Sequence, residues 1–213
     1  MPATDLALLT EAARAAGEIA RRFWRRSPEA WEKPGGLGPV TEADLAVDRM
    51  LHAELTAARP DYGWLSEETE DGPERQAAAR VFIIDPIDGT RAFMAGEETF
   101  SHSLAVAEDG KVVAGVVYLP VPDLLFAAGG TGPALLNGRP LRVSARAELA
   151  GATLLASGAA MRGEIWQAGT APPVRRVFRA SMAYRLGLVA EGRFDAMVGP
   201  GGTWEWDIAA GAL

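Results

Sequence analysis

Asp85 and Asp88 stand three positions apart in Asp85-Pro86-Ile87-Asp88-Gly89-Thr90, directly after the apolar run Val81-Phe82-Ile83-Ile84. A short buried strand ending in two carboxylates, then a glycine and a hydroxyl where a helix can begin, suits a hard cation and a phosphate held side by side. The implied chemistry concerns phosphate esters. Asp85 is expected to leave the strand pointing into a crevice, with Pro86 fixing the backbone so that the ladder does not simply continue. Asp88 returns to the same crevice, and Gly89 lets a ligand approach the backbone closely. Free N–H groups around Thr90 can receive phosphate oxygens. Alone, Asp-Pro or Asp-Gly would mark an ordinary surface turn. The whole hexapeptide behind a buried strand argues against that.

Three further segments carry acids that could join this pair. Glu67 and Glu68 follow Trp64-Leu65-Ser66, Asp44 lies in the first turn of a predicted helix, and Asp207 stands beside Trp206 where a last helix begins. Each has a structural alternative: Thr41-x-x-Asp44 is close to a capping box, Glu67 and Glu68 could be solvated, and Asp207 could be an N-cap.

The elements that must position these groups are legible as patterns. An amphipathic helix is expected over 5–25, with Leu6, Leu9, Ala13, Ala16, Ala20 and Phe23 on one stripe, and a second over 42–58 capped by Thr41. Residues 34–39 read as a loop, mobile by composition. Strands are expected at 64–66, 81–84, 103–108, 111–119 and 124–128, with hairpin turns at Asp109-Gly110 and Asn137-Gly138. After Arg146 the pattern changes to strands at 153–156 and 194–198 and a helix over 181–191 that Gly192 stops. Segregated helices and strands predict an α+β protein of helices packed on sheets. Two halves are expected: 1–145, with a helix pair, an antiparallel sheet and most of the acids, and 146–213, carrying Asp207.

Composition narrows the classes. The chain has 213 residues, 48% apolar, enough for a substantial core. A net charge of −7 gives bulk electrostatics no part in binding nucleic acid or anionic membranes, and neither is expected as a partner. The absence of cysteine excludes disulfides, thiolate nucleophiles and zinc–thiolate sites. His52 and His102 are too few for a histidine-rich metal site and are expected to be structural, a Ser-His-Asp triad being the alternative. No signal peptide or apolar span is evident, so the expected location is cytoplasmic.

Taken together, Thr41-Glu42-Ala43-Asp44, Ser66-Glu67-Glu68, Asp85-Pro86-Ile87-Asp88-Gly89-Thr90 and Trp206-Asp207-Ile208-Ala209-Ala210-Gly211 resemble, in order, the motifs of the inositol monophosphatase superfamily of magnesium-dependent phosphomonoesterases. The resemblance spans essentially the whole chain and implies a layered αβαβα sandwich. It implies that Glu67, Asp85 and the Ile87 carbonyl hold one magnesium and Asp85, Asp88 and Asp207 a second, with a weaker third near Glu67. Asp44 and Thr90, with Glu67 nearby, would orient and deprotonate a water that attacks phosphorus in line, and the N–H groups of Gly89 and Thr90 would hold the phosphate. A homodimer is a further expectation. Family members normally continue beyond the final motif, so the C-terminal part is expected to be truncated and the helix bearing Asp207 only about two turns long.

On the substrate side the resemblance points to Asp88, Arg91, Ser181, Arg185 and Asp207. Inositol-directed members usually carry a glutamate where this chain has Pro200, Asp or Asn where it has Arg185, and Thr-Asn where it has Arg91-Ala92. Bisphosphate nucleotidases of the superfamily tend to place lysine at the last two positions. Arg91 and Arg185 would preserve that charge, which makes a nucleotide such as 3′-phosphoadenosine 5′-phosphate the leading expectation. An inositol or sugar monophosphate is the alternative. A metal- or phosphate-binding regulatory protein with little turnover is the reading from another class.

Overall fold

A computed structural model describes residues 4–199 and 201–213. The expected position Pro200 lies outside the described residues. In chain order the elements are α1 (Asp5–Phe23), β1 (Ala30–Glu32), β2 (Pro39–Thr41), α2 (Glu42–Ala58), β3 (Gly63–Ser66), β4 (Arg80–Asp88), α3 (Thr90–Met94), β5 (Ser101–Glu108), β6 (Lys111–Leu119) and β7 (Leu124–Gly129). They continue with β8 (Leu135–Leu136), β9 (Arg139–Pro140), β10 (Thr153–Ala156), β11 (Arg175–Val177), α4 (Met182–Ala190), β12 (Ala196–Val198) and α5 (Glu205–Ala212).

The alternation of β4 decides the layering. Phe82 and Ile84 point to one face and join Leu9, Leu51 and Leu55 of α1 and α2 in a core of fully buried side chains. Ile83 points to the other face, where Ala183 and Leu188 of α4 and Ala209 and Ala210 of α5 pack. Between them runs a seven-stranded sheet in the order β3-β4-β5-β6-β7-β8-β9, antiparallel except for β3 beside β4. A parallel sheet ordered β11-β10-β12 lies beyond α4, with Leu155 reaching the core that α4 and α5 share with the large sheet. The result is the layered sandwich the resemblance implies. Its outermost layer consists of single turns at Ala159–Met161 and Gly163–Ile165, with Trp166 packed beside them.

Most boundaries fall within two residues of expectation, and three differ in kind. Residues 34–38 are the link of a small hairpin, β1 against β2, and Pro39 already pairs in β2, so the segment is not a free loop. β11 has no apolar signature because its two arginines are exposed. The strand at 81–84 does not end there: β4 runs on through both aspartates.

Close approach of α5 to the large sheet depends on one residue without a side chain. A Cβ at Gly115 of β6 would stand 2.7 Å from the Ala210 carbonyl oxygen and 3.1 Å from its Cα. Backbone cannot swing aside as a side chain can. Gly115→Ala is therefore expected to cost about 1–3 kcal/mol, the range for overpacking, read as a lower midpoint in urea. An unchanged midpoint would mean that α5 can shift freely on the sheet.

Candidate active site

In a regular strand, residues three apart face opposite sides, so Asp85 and Asp88 should diverge. They do not, because β4 carries a bulge. Asp85 registers with Ser103 and Asp88 with Ser101, three steps of β4 against two of β5. The extra residue reverses the alternation. Ile87 turns into the α1/α2 core, and Asp88 comes round to the α4 side, where its carboxylate accepts from Ser181 Oγ at 2.7 Å, Met182 N at 3.1 Å and Ala183 N at 2.6 Å. Gly89 then takes φ 100°, which lets α3 leave in a new direction.

Asp207 arrives from the first turn of α5, where it accepts from Trp204 N at 2.9 Å. The helix begins two residues before the sequence suggested, so Asp207 lies inside it and caps it with a carboxylate oxygen. Asp85, Asp88 and Asp207 each present an oxygen within 4.8 Å of the others. Glu67 sits beside them and contributes to raising Asp85.

Burial makes this cluster costly when it is empty of cations. Asp85 is lifted well above the ordinary carboxylate range, first by burial and then by the charges of Glu67, Asp88 and Asp207. Asp88 is pushed up to about 6 by burial, which its three hydrogen bonds only partly offset. Asp207 is raised by burial as well. Asp85 Oδ1 is buried without a hydrogen-bond partner. An orphaned carboxylate oxygen facing further oxygen donors fits magnesium, which takes oxygen ligands and keeps several waters.

Asp44 satisfies both of its readings with different oxygens. Oδ2 accepts from the Thr41 N–H at 2.9 Å and from the Thr41 hydroxyl, completing the capping box of α2. Oδ1 lies 3.2 Å from Thr90 Oγ1, which also stands 3.1 Å from the Ile87 carbonyl oxygen. Burial pushes Asp44 up to about 6.

Glu67, Asp85, Ile87, Asp88, Thr90 and Asp207 line one cleft of about 400 Å³, together with Gly89, Arg91, Arg185 and Phe178. That is within the range of small-ligand sites. Two substrate-side expectations change. Ser181 is fully buried, its hydroxyl spent on Asp88, on Ser101 and on capping α4, so it positions Asp88 and does not face the cleft. Arg185 reaches the cleft, but its guanidinium donates to the carbonyls of Arg179 and Ala180 and stacks 4.7 Å from the Phe178 ring. Arg91 is exposed on the cleft wall.

Sequence reasoning missed Lys33 and Asp48. Lys33 Nζ bridges Glu67 at 2.8 Å and Glu68 at 2.7 Å. Burial opposes its charge, yet the two carboxylates hold it above its ordinary pKa. Asp48, on α2, accepts from Ser66 at 2.6 Å and Thr69 at 2.8 Å and so anchors the turn that carries Glu67. A lysine in a Pro/Gly segment has no spacing that marks it. Asp48 does have one, four positions after Asp44 on the same helical face. Neither histidine bonds to a serine or aspartate among the described residues. His52 stands edge-on to Trp64, and His102 binds the Pro86 carbonyl.

Three converging carboxylates on a small-ligand cleft beside the N-terminus of α3 are the arrangement a metal-dependent phosphomonoesterase needs. The inositol monophosphatase family model matches residues 2–213. An inositol-1-monophosphatase of Rhizobium meliloti is 36% identical over 94% of this chain and 77% of its own length. A histidinol-phosphatase of Chlorobaculum parvum is 35% identical over 71% of this chain and 58% of its own. Among solved structures, an IMPase of Thermotoga maritima superposes with a TM-score of 0.81 at 33% identity, covering 97% of this chain and 80% of that one. The chain belongs to the inositol monophosphatase family, whose phosphomonoester chemistry and magnesium cofactor come with it.

Proposed function

We propose that this phosphomonoesterase hydrolyses a small polyol or sugar monophosphate, with inositol 1-phosphate as the model substrate. The observation that carries it is the fate of Arg185. With its guanidinium held by two backbone carbonyls and an aromatic ring, it is poorly placed to read a second phosphate. The order of the two substrate classes suggested by the sequence is thereby reversed. Three relatives named inositol-1-monophosphatase support the same direction. The bisphosphate nucleotide remains the second reading because Arg91 is exposed in the cleft.

In this reading Glu67, Asp85, the Ile87 carbonyl, Asp88 and Asp207 hold magnesium. When bound, the metal neutralises these carboxylates, acidifies water and stabilises charge on the phosphoryl group. The protein's own part is positional. Thr90 passes a proton from the attacking water to Asp44 Oδ1, whose raised pKa lies close enough to neutrality for it to serve as a base. Amides of Gly89 and Thr90 hold the phosphate, and Lys33 orients Glu67. A homodimer and a cytoplasmic location belong to the same proposal.

The test is magnesium-dependent phosphate release from inositol 1-phosphate and from 3′-phosphoadenosine 5′-phosphate, side by side, with a chelator control. A preference of about tenfold or more for inositol 1-phosphate, roughly 1.4 kcal/mol in transition-state binding, is expected. A nucleotide preference that collapses in Arg91→Ala would establish the second reading instead. Tight magnesium binding without turnover of either ester would favour a binding protein.

A further inference from the structure

His102 stands opposite the bulge of β4, between Ser101, which registers with Asp88, and Ser103, which registers with Asp85. It is fully buried, on the face where Phe100 and Tyr118 flank it at ring-centroid distances of 6.3 and 6.4 Å. Its Nδ1 meets the Pro86 carbonyl oxygen. A carbonyl only accepts, so Nδ1 carries the proton and Nε2 is left with a bare lone pair. That nitrogen is buried with no partner.

A buried polar atom without a partner is unfavourable. A valine would fill a central strand without that cost, so packing does not account for a histidine here. What the imidazole adds is a donor aimed at the middle of the segment Asp85-Pro86-Ile87-Asp88. Within that segment the bulge sets the direction of two carboxylates and the Ile87 carbonyl.

We propose that His102 is a positioning residue of the metal centre, its Nδ1–H holding the Pro86 carbonyl so that the bulge keeps Asp85, Ile87 and Asp88 converged on one cation. It touches neither metal nor substrate. Burial also lowers its pKa to about 4, so the ring stays neutral and its tautomer stays fixed throughout the working range.

Two variants separate the donor from the packing: His102→Val removes it, and His102→Asn keeps an N–H near Nδ1. Magnesium affinity is read by titration calorimetry and from the magnesium-induced rise in melting temperature, neither of which depends on turnover. His102→Val is expected to weaken magnesium binding about 10- to 100-fold, the usual effect of removing an outer-shell partner. KM for the phosphate ester at saturating magnesium should stay within about twofold, since the phosphate and substrate groups are untouched. His102→Asn should recover most of the affinity. If His102→Val does not melt cooperatively, His102→Met takes its place. Wild-type magnesium affinity in the folded donorless variant would overturn the proposal. So would an Asn variant as impaired as that variant, which would assign the effect to ring shape.

Discussion

Asp85→Asn is expected to lower magnesium-dependent phosphate release by about 10³-fold or more while making the metal-free protein more stable above neutral pH. The activity loss follows from the ligand set. Asp85 is the carboxylate at the centre of the cluster, with neighbours in Asp88, Asp207 and Glu67. A bound cation supplies several kcal/mol of transition-state stabilisation, and each 1.36 kcal/mol is tenfold in rate. The stability gain follows from the same crowding. A fully buried carboxylate with an orphaned oxygen, raised by burial and by three like charges, is a liability in the absence of metal. An amide of the same shape carries no charge to desolvate. Phosphate-release assays and melts at about pH 8 in chelator measure the two effects. A variant that lost activity but also lost metal-free stability would show Asp85 to be a structural group.

The second large effect is a pH dependence that magnesium reverses. Burial holds Asp44 and Asp88 at about 6 in the folded protein, against 3.8 ordinarily, and raises Asp85 and Asp207 as well. Acids raised on folding bind more protons folded than unfolded. Their contribution is fully present below about pH 4 and is lost as pH rises through 6 and beyond. For Asp88 alone the rise from 3.8 to about 6 corresponds to roughly 3 kcal/mol. His102 works the other way. Lowered to about 4 by burial, it costs stability as pH falls from about 6.5 to 4. With four raised carboxylates against one lowered imidazole, the metal-free protein should be most stable near about pH 4, and its melting temperature should fall as pH rises from there to the alkaline side. Magnesium must displace protons to bind Asp85, Asp88 and Asp207, so its stabilisation should be small near pH 5 and large near pH 8. Melts with and without saturating magnesium isolate this term, because the titration of His102 cancels in the difference. A magnesium increment independent of pH would remove these carboxylates from the metal site.

The chemistry of the site was more legible than its geometry. The hexapeptide from Asp85 to Thr90 and the ordered acids at Asp44, Glu67 and Asp207 can be read because residue types announce an oxygen-donor centre. The bulge cannot. Pro86 reads as the end of a strand, and only pairing with β5 reveals that the strand resumes one residue out of step. Long-range pairing also hid the β1–β2 hairpin and the edge strand β11, whose residues carry no alternation of their own. Side chains mislead where their partners are backbone atoms. Arg185 reads as a free positive charge and Ser181 as a cleft hydroxyl, yet carbonyls hold the first and Asp88 holds the second. Lys33 is the converse: a loop lysine becomes part of the site because β1 and β2 bring it over Glu67 and Glu68.

Asp88 is at once a member of the carboxylate cluster and the acceptor for the opening amides of α4. One side chain thus joins the cation to the helix lying between the two sheets. Opening fluctuations that part the small sheet from the large one must loosen that junction. Loading with magnesium should therefore slow amide hydrogen exchange at Leu154 and Leu155 of β10, in a strand that supplies none of the carboxylates. Ion occupancy would then be recorded as a change in how often the protein breathes.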